Sequence, residues 1–456
     1  MTATIALAVL GIFVAYFPVN AVSGSLSTIA SATGAGITQV QWISAAYVIP
    51  MAAAVLSAGV FGDRYGRRRV FSIGATLTVL GAGIAALSSL FGDGALPVLL
   101  TGQVFAGLGG GILLPTTLAL IAVAVPDPRQ RGRYIALWAT GTGASLALGP
   151  IASGLILKFV GWGWIFVPTL VLAAIAAVIA HVKLPESRSP ERRSLDVPGQ
   201  IIASIAIIAL TVGVIEGGAR GWTSASALIG LVVAVIAVVA FITVEHRTAA
   251  PLMDLQLFKI SSFSAANFGA FMALFSIVGV VFLISLYLGA TQQLSALEIG
   301  VRIIFVPGIS ALVNPIIGCV LAHTRPIYML SAGLLVGAIG TLAISGIHAN
   351  TGYVDLIWRL AIFGVANAMM LTAASVSAIN AVPVSFAGMA AATNTALRQL
   401  GAALAPAVLG TIYAGAMAHD GGSATAGVNT AMLTTTGLLL LSSLACAVTT
   451  VLDKKR

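Results

Sequence analysis

The chain of 456 residues carries little charge, since Asp, Glu, Lys and Arg together make up only 8% of it. Hydrophobic residues account for 59%, which is well above the share of about 45–50% found in soluble domains. A soluble protein of this length cannot hide so much apolar surface, because folding buries no more than about 75% of the surface of such chains. We therefore expect lipid to surround most of the chain.

Cysteine and histidine are also scarce, with two cysteines and five histidines in the whole chain. Cys319 and Cys446 lie in apolar segments far apart, and we expect them to be small buried hydrophobes rather than a disulfide or a metal site. The sequence contains no cluster of His with Asp and Glu or with Cys, and no Walker-type G-x-x-x-x-G-K-[ST] run. We therefore predict neither an enzyme nor a metal or other cofactor, and no direct use of ATP.

Basic residues outnumber acidic ones and give a net charge of +9. They fall between apolar segments and form no continuous stripe, so a nucleic-acid partner is disfavoured. If the N-terminus is cytoplasmic, most of the Lys and Arg residues lie in inner segments, and the outer loops hold only Lys158 and Arg220. This bias predicts a multi-pass protein of the cell membrane with both termini in the cytoplasm.

Fourteen apolar segments are long enough to cross the bilayer, which takes about 20 residues of helix. Because lipid offers the backbone no hydrogen-bond partner, each segment must be a helix. The alternation expected of the strands of a lipid-facing barrel is absent. The predicted limits are 5–30, 40–62, 70–91, 96–125, 134–158, 162–182, 198–217, 224–244, 262–288, 297–321, 327–347, 354–380, 388–417 and 430–451.

A charged motif, G-x-x-x-D-R-x-G-R-R over residues 59–68, follows the second segment. It resembles the loop between helices 2 and 3 of the major facilitator superfamily, where this signature belongs to the cytoplasmic gate. The resemblance implies ion pairs of acid and arginine that hold the cytoplasmic side closed. The alternative is a charge cluster that only sets topology. The residues assigned to the gate are Gly59, Asp63, Arg64, Gly66, Arg67, Arg68 and Arg131.

The fifth segment carries a second motif, which resembles the signature of the antiporter (export) branch of the same superfamily. Small residues about every four positions make a flat helix face for close packing. A Gly-Pro pair at 149–150 weakens the helix, so that it can bend. Generic packing of small residues is the alternative. The motif residues are Gly141, Ser145, Gly149, Pro150 and Gly154.

The number of segments resembles the drug:proton antiporters with 14 helices, in which two extra helices separate the halves. The fragments APLMDL at 250–255 and NTALRQLG at 394–401 support this resemblance. It implies an all-α fold with one six-helix bundle in 1–183, a linker with two extra helices in 184–261, and a second bundle in 262–456. It also implies a monomeric secondary transporter that exports hydrophobic or amphiphilic small molecules by alternating access and proton antiport.

The sequence departs from that family in two of the predicted spans. Gln103 stands where the family has a membrane-embedded arginine, and Pro18, Val19 and Asn20 stand where it usually has an acid. No acid falls in the middle of a predicted span, so a deep carboxylate is not available as a proton carrier. An exporter of lipids or natural products, or a facilitator, without proton coupling is therefore the alternative function.

The remaining candidates for proton coupling are the acids at the outer ends of spans, Glu216, Glu298 and Asp355. Glu298 and Asp355 each precede an arginine, Arg302 and Arg359, by four residues, and we expect both to form ion pairs on one helix face. Glu216 has no obvious helical partner. Structural ion pairs are the alternative to a coupling role.

One charge is predicted to lie deep in the membrane. Arg398 falls about eleven residues into the thirteenth segment, where an arginine costs at least about 2.5–3.5 kcal/mol. We expect it to face a central cavity or a polar partner such as Asn394, and it suits neutral or anionic amphiphiles better than cations. The cavity candidates are Asn20, Gln103, Trp138, Asn267, Phe271, Asn314, Asn367, Asn394 and Arg398.

Overall fold

The computed structural model describes residues 2–125, 128–187, 196–248, 251, 253, 255–321, 323–382, 387–419 and 423–453. These residues form mainly α-helices, and they contain no strand. The all-α fold class predicted from the sequence is confirmed. Its physical cause is the length and hydropathy of the segments, since a helix satisfies its own backbone in lipid.

The helices α1 to α8 follow one another along the first half of the chain. Their bounds are α1 Thr2–Ser23, α2 Leu26–Thr33, α3 Ile37–Tyr65, α4 Arg67–Leu87, α5 Ala95–Ala124, α6 Pro128–Phe159, α7 Val167–Lys183 and α8 Val197–Arg220.

The helices α9 to α16 complete the chain. Their bounds are α9 Ala225–Arg247, α10 Ser261–Thr291, α11 Ala296–Ile303, α12 Phe305–Leu321, α13 Pro326–Ile344, α14 Tyr353–Asn380, α15 Ala387–His419 and α16 Ala424–Asp453.

All fourteen predicted segments are helical over most of their length. Within the described residues, 13 helical stretches are long and apolar enough to cross a membrane. The segment outside this set is α3, a helix of 29 residues with Gln39 and Gln41 in its first turns. The fourteenth crossing, by α3, stays a prediction.

Two predicted spans are interrupted. The first is divided into α1 and α2 at Gly24, where an added Cβ would lie 2.9 Å from Cα of Pro150. The tenth is divided into α11 and α12 at Ile304, because Pro307 has no N–H for the carbonyl of Ile303. Uninterrupted helices were the wrong prediction at both places.

The chain divides into two compact units, Met1–Ser204 with Thr248–Leu252 and Ile205–Arg247 with Met253–Arg456. We call them unit 1 and unit 2. The boundary falls inside α8. The division into two bundles and a separate linker stays a prediction.

In unit 1, α1 packs against α6, and α5 packs against α3 and α4. The hydroxyl of the buried Tyr47 on α3 donates a hydrogen bond to the Ala15 carbonyl on α1, at 2.7 Å. Because buried hydroxyl groups need a partner, this bond fixes the two helices against each other.

In unit 2, α10 is the central helix, and it packs against α14, α15 and α16. In the apolar stretch of α10, 83% of the residues are buried inside the protein, whereas in the apolar stretch of the peripheral α9 the share is 22%. Cys446 on α16 is buried as predicted, but Cys319 at the end of α12 is exposed. The prediction of a buried Cys319 was wrong. An apolar sequence near a helix end does not distinguish a residue that packs against the protein from one that faces lipid.

Candidate functional site

The turn between α3 and α4 consists of one residue, Gly66, with φ 107° and ψ 132°. A side chain is rarely found in this backbone region. A Cβ at Gly66 would also collide with the carboxylate of Glu186. Glycine is therefore required here both for the turn and for the approach of that carboxylate.

Glu186, three residues after α7, caps the beginning of α4. Its Oε1 accepts a hydrogen bond from the Arg68 N–H at 3.2 Å. Its Oε2 lies 3.9 Å from Nε of Arg68 and 3.8 Å from Nε of Arg69. The next carbonyl, of Ser187, accepts from the Arg67 N–H at 3.0 Å. A carboxylate at a helix N-terminus also interacts favourably with the helix dipole.

Sequence reasoning gave Glu186 no part in the gate. Arg68 and Glu186 are 118 positions apart in the sequence, so no local spacing could show the contact. The only signal was an acid directly after a helix that ends on the same predicted side of the membrane.

The other gate residues are only partly described. The side chains of Asp63 and Arg131 lie outside the described part of the structure, so their predicted ion pairs stay predictions. Gly59 lies in the last two turns of α3. Arg64 is exposed, with its guanidinium 5.6 Å from the centre of the Tyr65 ring.

The antiporter motif lies on α6, which continues as a helix through Pro150. A Cβ at Gly149 would lie 2.7 Å from Cβ of Asn20 on α1, and a Cβ at Gly141 would lie 3.0 Å from Val9. Ser145 and Gly154 are buried, and the Ser145 hydroxyl donates to the Thr142 carbonyl at 2.6 Å. The motif therefore brings α6 close to α1.

Each of the three predicted cavity residues of unit 1 donates a hydrogen bond to a different residue. Asn20 donates from Nδ2 to the Tyr16 carbonyl of its own helix at 2.7 Å. Gln103 on α5 donates from Nε2 to the Ile43 carbonyl on α3 at 3.3 Å, and its buried Oε1 has no partner among the described residues.

The third, Trp138 on α6, donates from Nε1 to Oγ1 of Thr117 on α5, at 3.0 Å. No hydrogen bond joins Asn20, Gln103 and Trp138 to one another in the described part of the chain. In unit 1, Gln103 and Trp138 therefore each connect two helices, Asn20 bonds within α1, and the three do not form one cluster.

The asparagines of unit 2 do form a cluster. Nδ2 of Asn394 on α15 donates to Oδ1 of Asn267 on α10 at 3.3 Å. Oδ1 of Asn394 accepts from the Ser375 hydroxyl on α14 at 3.2 Å. Asn267 and Asn394 are buried. We call Asn267, Asn394 and Ser375 the amide network, and it connects three helices.

Two further asparagines connect α12 to α14. Asn367 donates from Nδ2 to the Ser310 hydroxyl at 3.2 Å, and Asn314 accepts from the Thr372 hydroxyl at 3.0 Å. The buried Oδ1 of Asn367 has no partner among the described residues, so it can accept a hydrogen bond from water or a ligand.

Aromatic rings line α10 beside the amide network. The Phe271 ring is stacked on Phe268 and on Phe275, with centroids 6.2 Å and 5.8 Å apart. A Cβ at Gly401 on α15 would collide with the Phe271 carbonyl. The predicted cavity residues Asn267, Phe271 and Asn394 are therefore close to one another.

Arg398 lies on α15 one turn after Asn394. Its Nε is buried and without a partner, and the described residues give its side chain no hydrogen bond or ion pair. The expected bond to Asn394 is not present, because the Asn394 amide is used within the amide network.

The acids at helix ends have structural partners. Asp355 pairs with Arg359 at 3.0 Å, as predicted, and accepts a hydrogen bond from Nε1 of Trp358 at 2.9 Å. Arg359 also donates to the Ala343 carbonyl on α13. This pair therefore fixes α14 to α13.

The other two acids differ from the predictions. Glu216 was expected to lack a partner, but it pairs with Arg220 at 3.1 Å because α8 continues to Arg220. Glu298 was expected to pair with Arg302. Instead it forms a capping box with Ser295, and Arg302 lies 5.1 Å from the centre of the Tyr353 ring.

An apolar cavity of about 660 Å³ lies in unit 1 between α1, α6 and α7. None of the predicted cavity residues lines it. Its lining residues are Thr2, Ile5, Ala6, Val9, Leu10, Phe13, Tyr134, Leu137 and Leu172.

Comparison with known proteins identifies this arrangement of helices. Residues 8–406 match the family model of the Major Facilitator Superfamily. The chain is 29% identical to the multidrug resistance protein Stp of Mycobacterium tuberculosis, over 89% of this chain and 74% of that protein. It is 30% identical to the tetracenomycin C resistance and export protein of Streptomyces glaucescens, over 83% of this chain and 70% of that protein.

Solved structures are similar in fold. The crystal structure of a D-xylose-proton symporter has a TM-score of 0.70 at 14% identity and covers 98% of this chain and 97% of its own. At this identity the likeness concerns the fold alone.

Proposed function

This chain belongs to the major facilitator superfamily, and we propose that it exports hydrophobic or amphiphilic small molecules across the cell membrane. The observation that supports this most directly is the similarity, over more than four fifths of the chain, to proteins named for multidrug resistance and antibiotic export. A multi-pass transporter of this family takes a small molecule as its partner and is not an enzyme.

We propose alternating access as the mechanism, with one chain as the working unit and both termini in the cytoplasm. In this mechanism the turn at Gly66 belongs to the cytoplasmic gate, and Glu186 orders the start of α4 beside it. The amide network and the stacked rings of α10 supply the polar and apolar contacts of the substrate site in unit 2. Aromatic groups suit a site that tolerates varied apolar ligands.

Proton antiport is the first candidate for the energy source, because the family resemblance implies it. The candidate carriers are then Glu216, Glu298 and Asp355. Export without proton coupling is the second candidate. It is supported by Gln103 in place of the family arginine, and by the structural contacts of all three acids.

The experiment is uptake of a lipophilic dye into proteoliposomes, with and without an imposed pH gradient and in the presence of a protonophore. Proton antiport predicts that the gradient increases the initial rate several-fold and that neutralising the three acids together removes the increase. Transport without coupling predicts the same rate in all these conditions. Uptake no faster than in protein-free liposomes, for every dye tried, would contradict an export function.

A further inference from the structure

Arg398 is a cation inside unit 2 that forms no hydrogen bond or ion pair with the residues that the structure describes. It is the twelfth residue of the 33-residue helix α15, so it lies about 16 Å from the helix start at 1.5 Å per residue. Its Nε is buried and bonded to nothing in the described part of the chain. The residue as a whole is half-buried. A buried donor atom without an acceptor is unfavourable, so a partner from outside the protein would satisfy it.

The carboxylates of unit 2 that the structure describes are engaged elsewhere. Each of them has a contact near a helix end, away from Arg398. These contacts are Glu216 with Arg220, Asp355 with Arg359, Glu298 with Ser295, and Glu245 with the Met253 N–H. No described acid of this unit therefore competes with a ligand for the guanidinium.

Arg398 lies on the side of α15 that faces α10. At 100° per residue, Gly401, Asn394 and Arg398 follow one another around the helix within an arc of about 60°, and Arg398 lies about 40° from Asn394. Asn394 bonds to Asn267 on α10, and Gly401 approaches the Phe271 carbonyl on α10. The side chain of Arg398 therefore leaves α15 close to the amide network and the stacked phenylalanine rings.

We propose that Arg398 binds the ionised acid group of the transported molecule, so that the exporter takes anionic amphiphiles in preference to cationic ones. This inference rests on the export function proposed above. A planar guanidinium matches a carboxylate with two parallel hydrogen bonds. The rings of Phe268 and Phe271 provide an apolar surface for the body of the same molecule.

The test uses three fluorescent probes with one ring system. They are dansylglycine, which is an anion, its neutral amide, and a dansyl derivative with a trimethylammonium group. Binding to the purified full chain is read from the dansyl fluorescence. We expect the wild type to bind dansylglycine at least tenfold more tightly than the cation. Equal binding, or tighter binding of the cation, would overturn the proposal without any variant.

The variant Arg398→Gln removes the charge and keeps a polar group. We expect it to raise the Kd of dansylglycine at least tenfold and to leave the Kd of the neutral amide within twofold. Arg398→Lys keeps the charge and should retain part of the anion preference. Arg247→Gln, which removes an exposed arginine at the end of α9, should change neither Kd.

An equal loss of affinity for all probes in Arg398→Gln would show a structural role and overturn the inference. The failure of the export function gives a different result. In that case dansylglycine still binds in an Arg398-dependent manner, but proteoliposomes accumulate none of the three probes.

Discussion

Glu186 contacts the start of α4 through one hydrogen bond and two charge contacts, with Arg68 and Arg69. Its side chain is 26% exposed, and exposed ion pairs contribute only about 0–1 kcal/mol each. The residue therefore biases the position of the arginine cluster rather than holding it fixed. A contact of this strength can be broken and formed again when a gate opens.

We expect Glu186→Gln to loosen this end of α4. Glutamine keeps the acceptor for the Arg68 N–H but loses the charge, and a change of about 1 kcal/mol corresponds to about a fivefold shift in an equilibrium. The measurement is the rate at which a cysteine at position 65 reacts with an impermeant maleimide, in a Cys319→Ser background. The rate should rise by up to about fivefold.

The control for this substitution is Asp93→Asn, which neutralises an exposed acid of unit 1 in the turn before α5. It should leave the rate unchanged. Equal rates in Glu186→Gln and the parent would contradict a role of Glu186 at the gate.

Gly66 gives a second prediction at the scale of a residue. Gly66→Ala forces a side chain into a backbone region with φ 107° and against the Glu186 carboxylate, at a cost of about 3 kcal/mol. Gly34→Ala is the matched control, because Gly34 has φ 67° but open space around it, and left-handed backbone alone costs about 1 kcal/mol. Thermal unfolding in detergent should give Gly66→Ala the lower Tm, and the opposite order would refute the collision with Glu186.

At the scale of elements, hydrogen-bonded side chains connect the helices of unit 2. The amide network connects α10, α14 and α15, while Asn367 and Asn314 connect α14 to α12. In lipid the hydrophobic effect does not drive helices together, so packing and such bonds decide which faces meet.

The strength of the amide network can be measured with a double-mutant cycle. Asn267→Ala and Asn394→Ala should show a coupling energy of about 0.6–1.7 kcal/mol, the range known for hydrogen bonds between membrane helices. Asn267→Ala with Asn314→Ala is the control pair, because the Asn314 carbonyl is bonded to Thr372 instead. We expect a coupling near zero for that pair. Equal coupling in both pairs would mean that the bond contributes nothing specific.

The positions of the helices could be predicted because a membrane span has a strong signal in length and hydropathy. The Asp355–Arg359 pair could be predicted for a local reason, since residues four apart face each other on a helix. The pair of Glu216 and Arg220 has the same spacing. It was missed because the predicted span ended before Arg220, and helix ends are the least certain part of such a prediction.

The capping box of Ser295 and Glu298 has a known sequence pattern, S-x-x-E, and could have been found. The contact between Glu186 and Arg68 could not, because it depends on how α4 and α7 pack. The amide network is of the same kind, since Asn267 and Asn394 are 127 positions apart in the sequence.

At the scale of the whole molecule, the chain combines the fold of the major facilitator superfamily with a sequence that has few acids. The described acids of unit 2 lie near helix ends and in contacts, and Arg398 is a cation without a partner among the described residues. This distribution of charge is the physical basis for proposing an exporter of anionic amphiphiles.

The most direct measurement of carrier transport by alternating access is counterflow in proteoliposomes. The vesicles are loaded with a high concentration of unlabelled dansylglycine amide and diluted into a trace of the labelled compound, with no ion gradient. A carrier that exposes one site to each side in turn will transiently accumulate the labelled compound above its outside concentration. A labelled concentration that only rises to equilibrium, at a rate independent of the unlabelled load, would contradict alternating access by this protein.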